Sequence, residues 1–298
     1  MPLDGLLVPL VTPFSTTGAV DHDALGRLAV DALGSGADGL VVLGTTAEAA
    51  VLDDGERRAV LRTCLGAAGG APVVVGAGGN DTRRSVLELR GLAQWPEIHA
   101  ALVAVPPFTR PSAAGVVAHF AALATAGVPL VVYNVPARTG RELGEDTIRE
   151  LAAIPGVIGM KHAVPAVDAT TVALLADPPP GFTVLAGDDV VAAPLLALGA
   201  QGAILASAHV ATARFAAMVA AWRRGDATTG RELAAPLAGL AAALFAEPNP
   251  SVIKGVLHAM GRIPTPDVRL PLLPAAAATV TRALQAVEND VAMIQKAL

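Results

Sequence analysis

Disulfide scaffolding is closed to this chain, because it has a single cysteine, Cys64, and one thiol cannot form an internal bridge. Aromatic side chains are nearly as scarce: 3% of the 298 residues, including one tyrosine, Tyr133. Positive charge is limited as well. Twenty-one Lys and Arg stand against 26 Asp and Glu, a formal net charge of -5, which leaves no basic footprint for nucleic acid. Only three of the cations are lysines, Lys161, Lys254 and Lys296. The amino terminus lacks a basic segment leading into a signal-type apolar run, so a reducing cytoplasm is the expected compartment. Residues 190–213 carry no Asp, Glu, Lys or Arg and are long enough to span a bilayer. Pro194, Gly199, Gln201, Gly202 and His209 interrupt them, and the stretch reads as helix, turn, strand and second helix.

What the chain does have is rhythm. Apolar β-type runs at 6–11, 39–43, 72–75, 100–105, 129–133, 157–161, 183–186 and 202–206 alternate with Ala-rich helical segments. Their starts recur roughly every 20 to 33 residues, and unbroken apolarity is typical of strands covered on both faces. Eight such units predict a closed parallel (β/α)₈ TIM barrel, which takes roughly 250 residues; a doubly wound open sheet is the alternative. Asp53-Asp54, Asp81-Thr82 and Ser112 mark helix starts. The residues after 206 hold no strand pattern and read as helices at 211–224, 226–246, 251–260 and from 275 to near the end. The expected organisation is a catalytic barrel over 1–224 and a C-terminal helical region over 225–298 packed on it.

Active sites of such barrels lie at the carboxyl ends of the strands. There the chain places Gly44-Thr45-Thr46-Ala47-Glu48, Phe108-Thr109-Arg110, Tyr133 to Gly140, Lys161 and Gly187-Asp188-Asp189. The run Val157-Ile158-Gly159-Met160-Lys161 has no charge until its last residue. An amine there must be desolvated or held near other polar groups, and desolvation disfavours the ammonium ion and suits a Schiff-base nucleophile. In simple alternation Val157, Gly159 and Lys161 share one face, leaving space beneath the amine. Plainer readings stand beside these: a lysine that snorkels to solvent, a core tyrosine with a satisfied hydroxyl, a surface ion pair for Arg138, and a capping role for Asp188-Asp189. Thr45 and Glu48 have capping-box spacing, and a helix start there is also an anion site able to hold a substrate carboxylate. Arg138 has the fork geometry that grips carboxylates. The six histidines show no metal-ligand spacing, so no metal is expected. Gly76 to Asn80 lacks a complete phosphate-loop or dinucleotide fingerprint, and neither Lys254, in a helical stretch, nor Lys296 rivals Lys161.

Gly44-Thr45-Thr46-Ala47-Glu48, Tyr133-Asn134-Val135-Pro136-Ala137-Arg138-Thr139-Gly140, Gly159-Met160-Lys161, Gly187-Asp188-Asp189 and Glu247-Pro248-Asn249-Pro250 resemble, in order, the dihydrodipicolinate synthase / N-acetylneuraminate lyase family of class I pyruvate aldolases, and most of all its synthase branch. The resemblance covers about residues 6–273. It implies a barrel with a C-terminal helical region, a homotetramer built as a dimer of dimers, and a lyase that uses pyruvate and an aldehyde without external cofactor. Lys161 would form the imine with pyruvate and Tyr133 would shuttle protons. Thr45 and Thr46 would hold the pyruvate carboxylate, with Thr45 in a hydroxyl relay. Arg138 would receive the carboxylate of aspartate semialdehyde, and Gly187 and Ile204 would line the pyruvate pocket.

The chain also departs from the pattern. Phe108 stands where the synthases carry a tyrosine lent across the dimer interface, and a phenyl ring cannot pass a proton. His162 follows the lysine where Glu is usual, Val164-Pro165 replaces Thr-Gly, and Ala47 replaces a glycine. Read together, these leave the pyruvate half intact and alter the half that meets the second substrate. Pro107 and Arg84 depart from the synthases' lysine-feedback site, so regulation by lysine is not expected. The reaction implied first is the condensation of pyruvate with aspartate semialdehyde. The alternatives are a sibling aldolase or dehydratase on a sugar-derived or aromatic 2-keto acid, and a non-catalytic keto-acid-binding paralogue.

Overall fold

The computed structural model describes the backbone of residues 3–297 and the side chains of residues 3–288. Eight strands, β1 (Gly5–Pro9), β2 (Gly39–Val42), β3 (Val73–Ala77), β4 (Ile98–Ala104), β5 (Leu130–Asn134), β6 (Val157–His162), β7 (Thr183–Ala186) and β8 (Gly202–Ile204), form a closed barrel in chain order. All neighbours are parallel, and β8 returns to β1 through pairs such as Leu7↔Ile204. That closing ladder excludes the doubly wound sheet. All eight predicted runs are strands, with ends that agree to within two residues.

Alternation along the strands builds two cores. Leu7, Val41, Val74, Leu102, Val131, Leu185 and Ile204 fill the barrel interior. Leu6, Val8, Leu40, Val42, Val103, Val132, Val184 and their neighbours pack outward against the helices. Those helices are α1 (His22–Gly34), α2 (Asp54–Ala67), α3 (Thr82–Leu92), α4 (Ala113–Ala124), the short α5 (Pro136–Thr139), α6 (Glu145–Ala152), α7 (Ala169–Ala176), α8 (Ala192–Ala197) and α9 (Ala208–Arg223). The predicted start signals cap them. Asp53 and Glu56 make a reciprocal capping box at α2, Asp81 accepts from Arg83 N and Arg84 N at α3, and Ser112 accepts from Gly115 N at α4. Residues 190–213 resolve into α8, β8 and the start of α9, and no helix among the described residues is long and apolar enough to cross a membrane.

The strand that ends in Lys161 is less regular than simple alternation implies. The β5–β6 register runs Leu130↔Val157 and then Val131↔Gly159, so Ile158 is an extra residue. A bulge of this kind resets the two-residue period. Val157 therefore joins the outer core, while Ile158 packs against the interior cluster. Gly159 remains necessary for a different reason: a Cβ there would lie 2.5 Å from the Thr183 carbonyl of β7.

After the barrel come α10 (Ala227–Leu244), α11 (Ser251–Ala259) and α12 (Ala277–Ala297). α10 packs on α8, α9 and α12, and α11 on α9 and α12. α9 starts at Ala208, before the predicted residue 211, because Ala211 (φ -135°, ψ 49°) is a kink inside it. The tie between this region and the barrel mouth is electrostatic. Lys254 Nζ of α11 donates to Glu48 Oε1 at 2.8 Å and to the Thr12 carbonyl at 2.9 Å, and stands 4.1 Å from the Phe14 ring centroid. Both members of the pair are buried, at 0% and 1% side-chain exposure, and burial holds the Lys254 ammonium below the usual lysine range. Arg269 adds its own N–H to Glu48 Oε2 at 2.8 Å. Glu48 adopts a left-handed φ of 55°, so its carboxylate turns to the C-terminal region instead of capping a helix with Thr45.

Removing one partner of a buried pair leaves an uncompensated charge, which costs about 3–5 kcal/mol. K254M is expected to lose that much stability in denaturant titration, and the double variant K254M/E48Q to recover most of it. Equal losses in the single and double variants would show that the pair does not hold the region.

Candidate active site

The lateral register places Tyr133, Lys161 and Leu185 in one row across β5, β6 and β7. Side chains of laterally paired residues share a face, and Leu185 belongs to the interior cluster, with Tyr133 packed against it. Lys161 is 8% exposed, and its Nζ lies 4.6 Å from the Tyr133 ring centroid. Space for the lysine stem comes from Gly187, just past β7. Its amide donates to the His162 carbonyl at 2.9 Å, and a Cβ there would fall 2.6 Å from Lys161 Cγ and 2.9 Å from Cε. Ile204 is fully buried in the interior cluster two strands away. Lys161, Tyr133, Gly187 and Ile204 thus meet at the carboxyl ends of neighbouring strands.

The Thr45-Thr46 loop follows β2 as a 3₁₀ turn over Thr45–Ala47 rather than a regular helix start. Its leading amides have no intrahelical acceptor. Thr45 is exposed, whereas Thr46 is 4% exposed. Thr46 Oγ1 accepts from Asn249 Nδ2 at 2.9 Å, so the Glu247-Pro248-Asn249-Pro250 motif reaches the mouth from the C-terminal region. Arg138 sits exposed in α5, which ends at Gly140 with φ 65°. Phe108 is 87% exposed on the β4–α4 loop.

His162 is not at the mouth. Directly after the inward-facing Lys161 it points outward, 1% exposed, with Nδ1 3.2 Å from Asn134 Nδ2 and Nε2 2.9 Å from Thr171 Oγ1 of α7. Burial depresses its pKa while Asp168 works against that shift. The expectation that His162 alters contact with a second substrate is therefore corrected: strand alternation turns it into the sheet–helix layer.

Three residues carry more than sequence reasoning assigned them. Lys254, passed over as an ordinary helical lysine, anchors the Thr45-Thr46 loop through Glu48. Asn249 lay in a quoted motif with no role attached. Asp188 and Asp189 read alike as caps, yet only Asp188 behaves so, accepting from Val190 N at 3.1 Å and Val191 N at 3.4 Å. Asp189 is 6% exposed and accepts from Ser207 N at 2.6 Å. Desolvation raises its pKa to about 6, with the Ser207 hydrogen bond and then the Lys161 charge opposing the rise. No sequence signal separates two adjacent acidic residues at a strand end. Elsewhere, Arg57, Arg58, Arg84 and Asn80 line a cavity of about 840 Å³ between α2 and α3; Arg84 is the residue noted against lysine regulation.

A parallel barrel with one buried amine beside a phenol at its mouth defines an enzyme of the class I aldolase type, a lyase. The chain belongs to the dihydrodipicolinate synthetase family, whose model matches residues 2–289. It is 39% identical over 289 residues to the 4-hydroxy-tetrahydrodipicolinate synthase of Aromatoleum aromaticum, covering 96% of this chain and 98% of that one. Its identity to the synthase of the same name from Maridesulfovibrio salexigens is also 39%, over 92% of this chain and 94% of the relative. Among solved structures, the dihydrodipicolinate synthase of Thermotoga maritima superposes with a TM-score of 0.93 at 30% identity, covering 97% and 99% of the two chains. The chloride-inhibited dihydrodipicolinate synthase of Acinetobacter baumannii, complexed with pyruvate, gives 0.92 at 33% identity over 96% and 98%.

Gly187 offers a direct test of the geometry. In G187A the new Cβ would meet Lys161 Cγ at 2.6 Å and Cε at 2.9 Å, with Ala163 Cβ at 3.0 Å, so the lysine stem must shift and carry the amine with it. Misplacing a reacting group by about 1 Å can cost 10²-fold. Capture of Lys161 by a 2-keto acid under borohydride is expected to slow by about 10- to 100-fold in G187A, with an unchanged circular dichroism spectrum. Wild-type capture kinetics would refute the packing role.

Proposed function

We propose that the protein is a pyruvate-dependent Schiff-base lyase and that its reaction is the condensation of pyruvate with aspartate semialdehyde, the 4-hydroxy-tetrahydrodipicolinate synthase reaction. The observation that carries this reading is the Lys161 amine, 8% exposed and 4.6 Å from the ring centroid of the chain's one tyrosine. The relatives named for that activity and the Acinetobacter baumannii enzyme complexed with pyruvate support the choice of substrates.

Lys161 Nζ attacks the ketone carbon of pyruvate, and loss of water from the carbinolamine leaves a protonated imine. The imine withdraws electrons from the methyl carbon, which loses a proton to give an enamine, and the enamine carbon attacks the aldehyde. Tyr133 moves protons during carbinolamine collapse and carbon–carbon bond formation. The leading amides of the Thr45–Ala47 turn and the Thr46 hydroxyl hold the pyruvate carboxylate. Because Asn249 donates into Thr46 Oγ1, the hydroxyl hydrogen is left to point at the substrate. Thr45 shares in proton movement with Tyr133, in a relay left without its third hydroxyl by Phe108; Gly187 and Ile204 shape the pocket, and Arg138 at the rim receives the carboxylate of the second substrate. Imine chemistry on Lys161 needs no external cofactor. The same family reading assigns the cytoplasm and a homotetramer, and the exposed Phe108 ring is a surface that a second copy would cover.

Incubation with pyruvate and borohydride is expected to add one pyruvyl group to Lys161, detected by mass spectrometry and absent in K161A. Y133F should retain the adduct but turn over about 10²- to 10⁴-fold more slowly, the usual contribution of a positioned acid–base group. An adduct with no turnover of aspartate semialdehyde would move the assignment to another 2-keto acid. No adduct would refute it.

A further inference from the structure

The Thr46 side chain is 4% exposed, and its hydroxyl has a single hydrogen bond among the described residues, from Asn249 Nδ2 at 2.9 Å. An amide N–H can only donate, and a hydroxyl carries one hydrogen. Thr46 Oγ1 therefore uses a lone pair on Asn249, and among the described residues its own hydrogen has no acceptor. Both ends of this bond are anchored. Pro248 and Pro250, on either side of Asn249, have fixed φ. The Glu247 carboxylate accepts from Ala276 N at 3.1 Å, just before α12, and Ser251 Oγ donates to the Leu273 carbonyl at 2.8 Å. On the other side, the Ala47 carbonyl accepts from Thr12 Oγ1 at 2.7 Å, and Glu48 is paired with Lys254.

The orientation of the Asn249 amide follows from what each alternative buries. As it stands, Asn249 Oδ1 is a buried acceptor without a partner. Turned over, the amide would put two unpaired N–H donors in that position and would take the Thr46 hydrogen for itself. One unmade acceptor is the smaller cost, and it leaves the Thr46 hydrogen for a ligand.

We propose that Asn249 is a positioning residue that fixes Thr46 as a hydrogen-bond donor, and so makes the site select 2-keto acids with an ionised carboxylate over their neutral counterparts. The inference rests on the Schiff-base reading and on the carboxylate assigned there to Thr46. A carboxylate only accepts, so it meets the Thr46 hydrogen without conflict, whereas the NH₂ end of an amide brings hydrogens of its own. Asn249 acts through Thr46. An aspartate in its place reverses the bond: it accepts the Thr46 hydrogen, and the hydroxyl then turns lone pairs toward the substrate carboxylate.

The test is the pyruvate concentration that half-saturates borohydride capture on Lys161 in the wild-type protein, N249A, N249D, T46V and T46V/N249D. N249D is expected to raise it by about 10- to 100-fold, the range of a lost hydrogen bond to a charged group, and to keep the capture rate at saturating pyruvate. N249A is expected to raise it less, because the released hydroxyl can still donate. In the T46V background, N249D is expected to add no further loss. A bond that merely ties the loop to the C-terminal region gives the opposite order, since aspartate keeps the tie and alanine cuts it. That order, equal effects of the two variants, or a further loss from N249D in the T46V background would overturn the role. Should N249D fail to fold, pyruvamide, the neutral amide of pyruvate, decides the matter. The preference for pyruvate over pyruvamide is expected to shrink in N249A, whose Thr46 hydroxyl can turn to accept, and an unchanged preference overturns the role. No adduct in the wild-type protein at saturating pyruvate would instead overturn the Schiff-base reading, and this inference with it.

Discussion

The lateral row Tyr133↔Lys161↔Leu185 governs the rest of the site. Parallel strands in a closed barrel cannot slide independently, because each register is bounded by the next around the ring. Once Leu185 is committed to the interior, Lys161 and Tyr133 must face inward beside it. The same commitment turns Met160 and His162 outward, where one joins the outer core and the other bonds Asn134 and Thr171. A polar residue next to the lysine is thereby removed from the chemistry by pleat alone. The bulge at Ile158 shows that this row was set from its carboxyl end: the irregularity lies deeper in β6, and pairing is regular from Gly159 to His162.

The C-terminal helices complete the mouth rather than merely covering the barrel. Two polar contacts cross from them to the loop after β2, Asn249 to Thr46 and Lys254 to Glu48. Arg269 joins this junction through Glu48, bonds Glu56 of α2, and places its guanidinium 4.5 Å from the Phe14 ring centroid. A 3₁₀ turn of three residues has little stability of its own. Its position is set by charges it shares with α11 and with the segment around Arg269, so a loop assigned to substrate carboxylate is held from outside the barrel.

Much of this was legible in the chain. Buried parallel strands show as unbroken apolar runs, and the eight runs named the strands and put Lys161, Tyr133 and the Thr45-Thr46 loop at one end. Caps at Asp53, Asp81 and Ser112 were legible because their hydrogen bonds are local. What was hidden depends on contacts distant in sequence. Glu48 and Lys254 are 206 residues apart, so spacing suggested a local capping box instead. The bulge left no mark because Ile158 is as apolar as its neighbours, and His162 looked like a site residue because adjacency in sequence is opposition across a sheet. Asp188 and Asp189 differ only in which of them β8 happens to meet.

The two described lysines make the distinction between support and chemistry concrete. Both are buried, and burial alone would mark either as unusual. Lys254 gives two hydrogen bonds, one of them to a carboxylate at 2.8 Å; an amine so engaged is held as an ammonium donor and has no lone pair to offer. Lys161 has a different environment. Among the described residues its Nζ makes no hydrogen bond or ion pair, only the approach to the Tyr133 ring. An amine with no carboxylate bound to it stays accessible to an electrophile. Burial is common to both lysines, and being bound to a carboxylate decides which of them has no lone pair to offer.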